Sequence, residues 1–283
     1  MEILAEIKSD MLFFTHSVSE EASKDFYLHC HNYYEVYYFI DGDADYMVED
    51  RGYLLTPHSL LLLSPNVFHG IKVNSKKPYR RFALHFYPEL LSVERRHLLL
   101  SAFPSMGKYS GNEVFYQNCE QYRIFSFLQS LVECASLEPS LQQTLFPIYM
   151  EALLTQIMVM SLSKTAALAD YNSSKTITDI ISYLNKHLTE PFSLDQIAEH
   201  FFISKHHLNK VFRKVTGTTI YDYLLYKRVI FAQQLLIDGK NAGEAALESG
   251  FKDYSSFYRA YTKFIGHAPT KDRTAPFLLP EYP

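Results

Sequence analysis

SLDQIAEHFFISKHHLNKVFRKVTG, residues 193–217, and NAGEAALESGFKDYSSFYRAYTKFIG, residues 241–266, form a weak internal repeat. Each has an alanine early in a short helix, a tight turn, a polar-rich second helix with an apolar inner face, and a terminal glycine. In the first copy Ser193 stands where it caps a helix from Leu194 to His200, and Ser204 where it caps a second running to Val215. Two short helices joined by a tight turn make a helix-turn-helix, whose second helix is sized for the DNA major groove. Leu208, Val211 and Phe212 give that helix its inner face, which leaves His206, Asn209, Lys210 and Arg213 pointing outward. In the second copy Phe257 and Tyr261 face the core, while Tyr254, Ser255, Arg259 and Lys263 face out. Such outer faces offer hydrogen-bonding and cationic groups to base edges and phosphates. One unit alone fits an ordinary helical bundle about as well; two in tandem favour double-stranded DNA as partner.

Charge runs the same way. Residues 1–174 hold 13 Lys and Arg against 20 Asp and Glu, net -7, whereas residues 175–273 hold 14 against 10, net +4. A mildly basic C-terminal third suits a polyanion. Cys30, Cys119 and Cys134 have no CxxC spacing, and no leader opens the chain, so a reducing cytoplasm is expected. The longest apolar stretch, IYMEALLTQIMVMSLS, is broken by Glu151 and Gln156 and reads as too short to cross a bilayer, so no membrane partner is expected.

From Asp25 to His85 the pattern turns strand-like. His29, His31, Tyr33, Glu35, Tyr37 and Phe39 alternate with Cys30, Asn32, Tyr34, Val36, Tyr38 and Ile40, and a period of two puts each set on one face. SLLLLSP reads as a buried strand stopped by Pro65. Frequent turns between such strands make a small barrel or jelly roll. Two helices follow, at about 117–136 and 141–163. Their apolar positions Phe125, Leu128, Leu154, Ile157 and Met158 exceed what one barrel face covers, which predicts a homodimer. Residues 166–176 have a linker's composition. The expected organisation is α+β: a sensory and dimerisation domain at 1–165, the linker at 166–176, and an all-α double helix-turn-helix domain at 177–283.

The chain resembles the AraC family of bacterial transcription regulators. The resemblance is strongest over 175–273, where the two repeats, the connecting YDYLLYKRVIFAQQLL and the closing GFKDYSSFYRAYTKFIGHAP run in the family's order. It implies that a long helix joins two helix-turn-helix units reaching successive major-groove segments. Carried over by position, His206, Asn209, Lys210, Tyr254, Ser255 and Arg259 are the base-reading candidates. Ala242, Ala245, Ala268 and Asp272 depart from the residues usual at those places.

LHCHNYYEVYYFIDG, residues 28–42, resembles the first cupin motif through His29, His31, Glu35 and Gly42, and SPNVFH, ending at His69, resembles the second. Convergent imidazoles and a carboxylate on a concave wall with Tyr33, Tyr37, Tyr46, Arg81 and His85 predict a pocket for a small effector, a sugar foremost, because rings stack on its C–H faces while polar groups take its hydroxyls. The expected function is a ligand-responsive, sequence-specific DNA-binding regulator with no catalytic residue and no cofactor requirement. The alternative is a metal-dependent cupin enzyme, or a metal sensor, with an accessory helical domain. In either case His29, His31, Glu35 and His69 are the ligands, for a divalent transition metal.

Overall fold

The computed structural model describes residues 1–23, 26, 28–104, 114–163 and 175–272. Strands β1 (Glu2–Ser9), β2 (Leu12–Ser19), β3 (Tyr34–Asp41), β4 (Ala44–Val48), β5 (Arg51–Leu54), β6 (Ser59–Leu63), β7 (His69–Val73), β8 (Tyr79–Phe86) and β9 (Phe115–Tyr116) form two sheets. One has the order β1-β2-β8-β3-β6-β9 and the other β5-β4-β7. They pack face to face without closing into a ring, so the cupin-like domain is an open sandwich. The alternation in β3 sorts its side chains as its period requires. Tyr37 and Phe39 lie between the sheets with Tyr46, Val48, Leu61 and Leu63. Val36 and Tyr38 join Leu60, Leu62, Phe82 and Leu84 under a helical layer. The N-terminal hairpin β1-β2 lies before the segment that reads as strand; β1 is a sheet edge exposed on both faces, so its sequence carries little alternation.

The helical layer is α1 (Val93–Leu99), α2 (Ile124–Ala135) and α3 (Pro139–Ser163). At 25 residues α3 is long and apolar enough to span a bilayer, which corrects the expectation that the stretch is too short. Its inner face, with Phe146, Met150, Leu153, Leu154 and Ile157, is buried against α2 and the sheet, and its Glu151 pairs with Arg95 at 2.6 Å. The residues expected to form a dimer face are therefore misplaced. Leu128, Leu154 and Ile157 are core, and Phe125 and Met158 are partly buried against it.

The C-terminal domain is α4 (Lys175–Lys186), α5 (Leu194–His200), α6 (Lys205–Thr216), α7 (Ile220–Ile237), α8 (Ala242–Glu248) and α9 (Tyr254–Ile265). The expected linker lies outside the described residues up to 174, and Lys175 already opens α4. Ser204 caps α6 by accepting from the His207 N–H, whereas Ser193 holds the N-cap position of α5 without a side-chain bond. Asn241 and Glu244 close a capping box on α8, and Asp253 caps α9. Gly217 and Gly266 end the two longer helices in the left-handed conformation. The unusual Asp272 is buried and accepts from Gln233 at 3.1 Å and from Tyr261, a polar anchor at the domain's end.

The two domains share one apolar cluster. Leu28, Cys30, Met47 and Phe68 of the sandwich pack among Tyr223, Tyr226 and Phe212 of the helices, and the Phe68 ring lies 4.6 Å from that of Tyr223. Full burial of a side chain such as Phe68 contributes about 1.5–3 kcal/mol.

Candidate functional site

Cross-strand registry assembles a histidine cage around one carboxylate. Glu35 on β3 stands opposite His85 on β8, and His29 forms an isolated bridge with His69 at the start of β7. Glu35 Oε2 lies 3.1 Å from His31 Nε2 and 3.1 Å from His69 Nε2, while its Oε1 lies 3.2 Å from His85 Nε2. The ligand atoms of His29, His31 and His69 all fall within 4.8 Å of one another. Glu35, His31 and His69 are buried, and His29 is exposed at the rim.

The outer nitrogens fix the tautomers. His31 Nδ1 is 3.1 Å from the Tyr33 carbonyl oxygen and His69 Nδ1 is 2.8 Å from that of Val67, and a carbonyl only accepts. Both Nδ1 atoms therefore carry the proton. Burial lowers the His31 and His69 pKa values, which favours neutral rings whose Nε2 lone pairs face Glu35. Burial pushes the Glu35 carboxyl up, but the neighbouring His85 charge and the hydrogen-bonding contacts with His31, His69 and His85 together outweigh it and leave the group well below the ordinary carboxylate range.

The other expected pocket residues divide. Tyr33 stacks on His31 at 3.9 Å and, with His85, lines a recess of about 250 Å³ closed by Lys8, Asp10 and Phe13 of the β1-β2 hairpin. Tyr37 and Tyr46 are not in an open wall: both are buried, their rings 4.7 Å apart, because the inter-sheet space there is filled by side chains. Arg81 lies over the Tyr37 ring at 5.6 Å. The Tyr37 hydroxyl bonds that of Tyr79, a residue the sequence reading missed although it shares the parity of Arg81 and His85 on β8.

In the helical domain His206, Lys210 and Arg213 are exposed on α6, as are Tyr254, Ser255, Arg259 and Lys263 on α9. Asn209 differs: it is half-buried, and its Oδ1 accepts from the Ile220 N–H at 3.3 Å, which ties the base of α6 to the start of α7. His207 is exposed beside His206 in the first turn of α6. Lys263 leans toward Asp222 at 3.4 Å. Arg259 and Lys263 border a cleft of about 640 Å³ shared with Phe192, Tyr221 and Arg228.

Residues 18–158 match the family model of the AraC-like ligand binding domain, and residues 197–275 match that of a helix-turn-helix domain. The chain belongs to the AraC family of transcription regulators. It is 21% identical to the probable transcriptional regulator LumQ of Photobacterium leiognathi over 86% of this chain and 90% of that one. It is 31% identical to the transcriptional activator AarP of Providencia stuartii over 34% of this chain and 73% of that one. Among solved structures ToxT of Vibrio cholerae aligns over 91% of this chain and 97% of its own, at 15% identity and a TM-score of 0.36. This AraC-family chain is thus a ligand-responsive, DNA-binding transcription regulator.

The contact between the sandwich and the helical domain is polar as well as apolar. Glu49, buried at the β4-β5 turn, accepts from Lys227 Nζ at 2.7 Å, the Tyr223 hydroxyl at 3.0 Å, Asn185 Nδ2 at 3.2 Å and the Phe68 N–H at 3.1 Å. The Tyr226 hydroxyl donates to Asn66 Oδ1 at 2.5 Å. None of these residues stands out in the sequence, since each contact joins positions more than a hundred apart apart from the Phe68 one. Tyr223, Tyr226 and Lys227 all lie on α7, the helix between the two helix-turn-helix units.

Proposed function

We propose that the recess beside Tyr33 and His85 takes a small polyhydroxylated effector of the sugar type, and that its occupancy reaches DNA through the segments 28–31 and 66–69. One observation carries this reading: those segments alternate between the two sites. His29, His31 and His69 face the cage, while Leu28, Cys30 and Phe68 pack into the helical domain. The Leu28 N–H donates to the Val215 carbonyl near the end of α6 at 3.2 Å, and the Asn66 N–H donates to the His31 carbonyl at 2.7 Å. A ligand that shifts these backbones must also bias how α6 and α7 are held, which is the differential contact that coupling requires. The recess is smaller than the ~300–1000 Å³ of drug-sized sites, which suits a small polar molecule.

The test separates sensing from reading. Calorimetric titration with a panel of monosaccharides and polyols is followed by fluorescence titration of operator DNA. Tyr33→Ala should weaken the effector and leave effector-free DNA affinity intact. Arg259→Ala should cost about 1–3 kcal/mol of operator affinity with effector binding unchanged. Loss of effector-free operator binding in a folded Tyr33→Ala protein would reject the division of labour.

The regulator is read as a cytoplasmic homodimer without catalytic activity. Its relatives' names are those of transcription regulators, which supports a non-enzymatic role for the cage. The dimer reading rests on α3, which repeats Leu141, Leu145, Ile148, Ala152, Thr155, Val159 and Leu162 at alternating steps of four and three, all exposed or half-buried, with Leu145 packed in part on the core. That period marks a coiled-coil seam. Ile148 is 60% exposed, Val159 48% and Leu162 80%. The double variant Ile148→Glu, Val159→Glu should sediment as a folded monomer at about 20 µM, where the wild type is dimeric; a dimeric variant would move the interface elsewhere.

A further inference from the structure

We propose that the cleft between the sandwich and helices α4 and α7 binds a second effector, a neutral and largely apolar molecule whose carbonyl oxygen accepts from Asn66. The site is separate from the recess beside Tyr33 and His85, and the proposal does not depend on what that recess holds.

The case begins with an unmade hydrogen bond. Asn66 is 3% exposed and lines this cleft. Its Oδ1 accepts from the Tyr226 hydroxyl, and its backbone N–H donates to the His31 carbonyl. Its side-chain Nδ2 is buried too, and has no hydrogen-bond partner among the described residues. A buried donor without an acceptor forfeits its hydration and gains nothing in return, so nearly all such groups in folded proteins are paired. An acceptor entering the cleft supplies the missing bond.

The walls say what else the molecule must be. The cleft holds about 490 Å³, within the ~300–1000 Å³ of small-molecule sites. Pro65 and Val67 line it from the sandwich, and Leu188, Ile230, Phe231 and Leu235 from the helical domain, so the body of the ligand is apolar. The charged residues described around it balance, with Arg51, Lys186 and Lys227 against Glu49, Asp50 and Asp238. Lys227 is already bonded to Glu49 at 2.7 Å, and Asp238 accepts from Gln234 at 2.9 Å. A lining without net charge favours the carbonyl of a ketone, lactone or amide over a carboxylate or phosphate. Because the walls come from both domains, a molecule held there binds their docked arrangement and stabilises it.

The experiment uses the full chain and two neutral naphthalene dyes, prodan, which carries a ketone, and N-phenyl-1-naphthylamine, which has no carbonyl. One prodan should bind per chain, with blue-shifted emission and a raised melting temperature. Asn66→Asp keeps an acceptor for Tyr226 and tolerates the left-handed backbone at this position, but removes the donor. The ratio of prodan affinity to N-phenyl-1-naphthylamine affinity should then fall by about 2–12-fold, the worth of one neutral hydrogen bond. A merely structural role for Asn66 would weaken both dyes alike and leave the ratio where it was. Ser182→Trp fills the mouth of the cleft from an exposed position on α4, and should displace both dyes even where Asn66→Asp folds poorly. Phe202→Ser removes a side chain that is 95% exposed and outside the cleft, and should change neither affinity. No prodan bound by the folded wild type, a ratio unmoved by Asn66→Asp, or binding that survives Ser182→Trp overturns the proposal. So does binding lost in Phe202→Ser, the behaviour of a dye adhering to the surface.

Discussion

Lys227→Met is expected to destabilise the docked arrangement of the two domains by about 3–5 kcal/mol, because it removes the cation from a buried carboxylate while keeping most of the side-chain stem. Glu49 is almost inaccessible, at 4% side-chain exposure, and Lys227 contributes its ammonium at 2.7 Å. Tyr223, Asn185 and the Phe68 amide donate to the same carboxylate but bring no charge. Urea unfolding followed by domain-specific probes should show the sandwich and the helices separating before either melts. The pH dependence has a definite sign. Burial raises the Glu49 pKa, and the Lys227 charge together with the hydrogen bonds from Lys227, Phe68 and Asn185 more than offsets that, so in the wild type it lies below the ordinary value of 4.5. Its contribution is therefore complete above that value and is lost as pH falls through the depressed folded one. In the variant Glu49 has no cation and protonates more readily, so the gap between the proteins should be widest near neutrality and should narrow as pH falls toward and through 4.5. A gap that widens on acidification would mean that Lys227 acts through something other than Glu49.

The second large effect is expected at Gly250, in the turn between α8 and α9. Its φ is +87°, and a Cβ there would lie 2.6 Å from the Thr189 carbonyl oxygen and 2.8 Å from the Thr189 Cα. Both obstacles are backbone, held by Arg228, which donates to the Leu188 carbonyl at 2.7 Å and to the Gly250 carbonyl at 2.8 Å. Gly250→Ala combines a left-handed residue, about 1–2 kcal/mol, with overpacking of typically 1–3 kcal/mol. Gly266→Ala is the matched control, since its φ is +83° and a Cβ meets nothing within 4 Å. Chemical denaturation should give Gly250→Ala a loss of about 2–5 kcal/mol and Gly266→Ala only the conformational part. Equal losses would show that the close approach to Thr189 relaxes at little cost.

How much of this was legible in the sequence follows from the range of the forces involved. The double helix-turn-helix could be read because caps, turn glycines and inner faces are set by neighbours a few residues away: α5 has its expected bounds, and Ser204 caps α6 as expected. The cage could be read in part because a period of two places His29, His31 and Glu35 on one face and the pocket expectation includes His85, but the pairing of β8 with β3 that sets His85 opposite Glu35, and the bond of Tyr79 to Tyr37, are not local patterns. The dimer face was misjudged because a list of apolar residues in α3 does not say which side the sheet will claim; it claims Leu154 and Ile157. The contacts of Glu49 with Asn185, Tyr223 and Lys227 were invisible, since no local pattern joins residues separated by 136, 174 and 178 positions.

The two-sided use of residues 28–31 and 66–69 sets a rule for anyone who would exchange parts of this regulator. A sensor transplanted from a relative brings its own even-numbered neighbours of the cage, and with them a surface cut to fit a different α7. A chimaera joined between the two domains would thus lose the conversation between them, unless the partners of Leu28, Glu49, Asn66 and Phe68 travel with the graft.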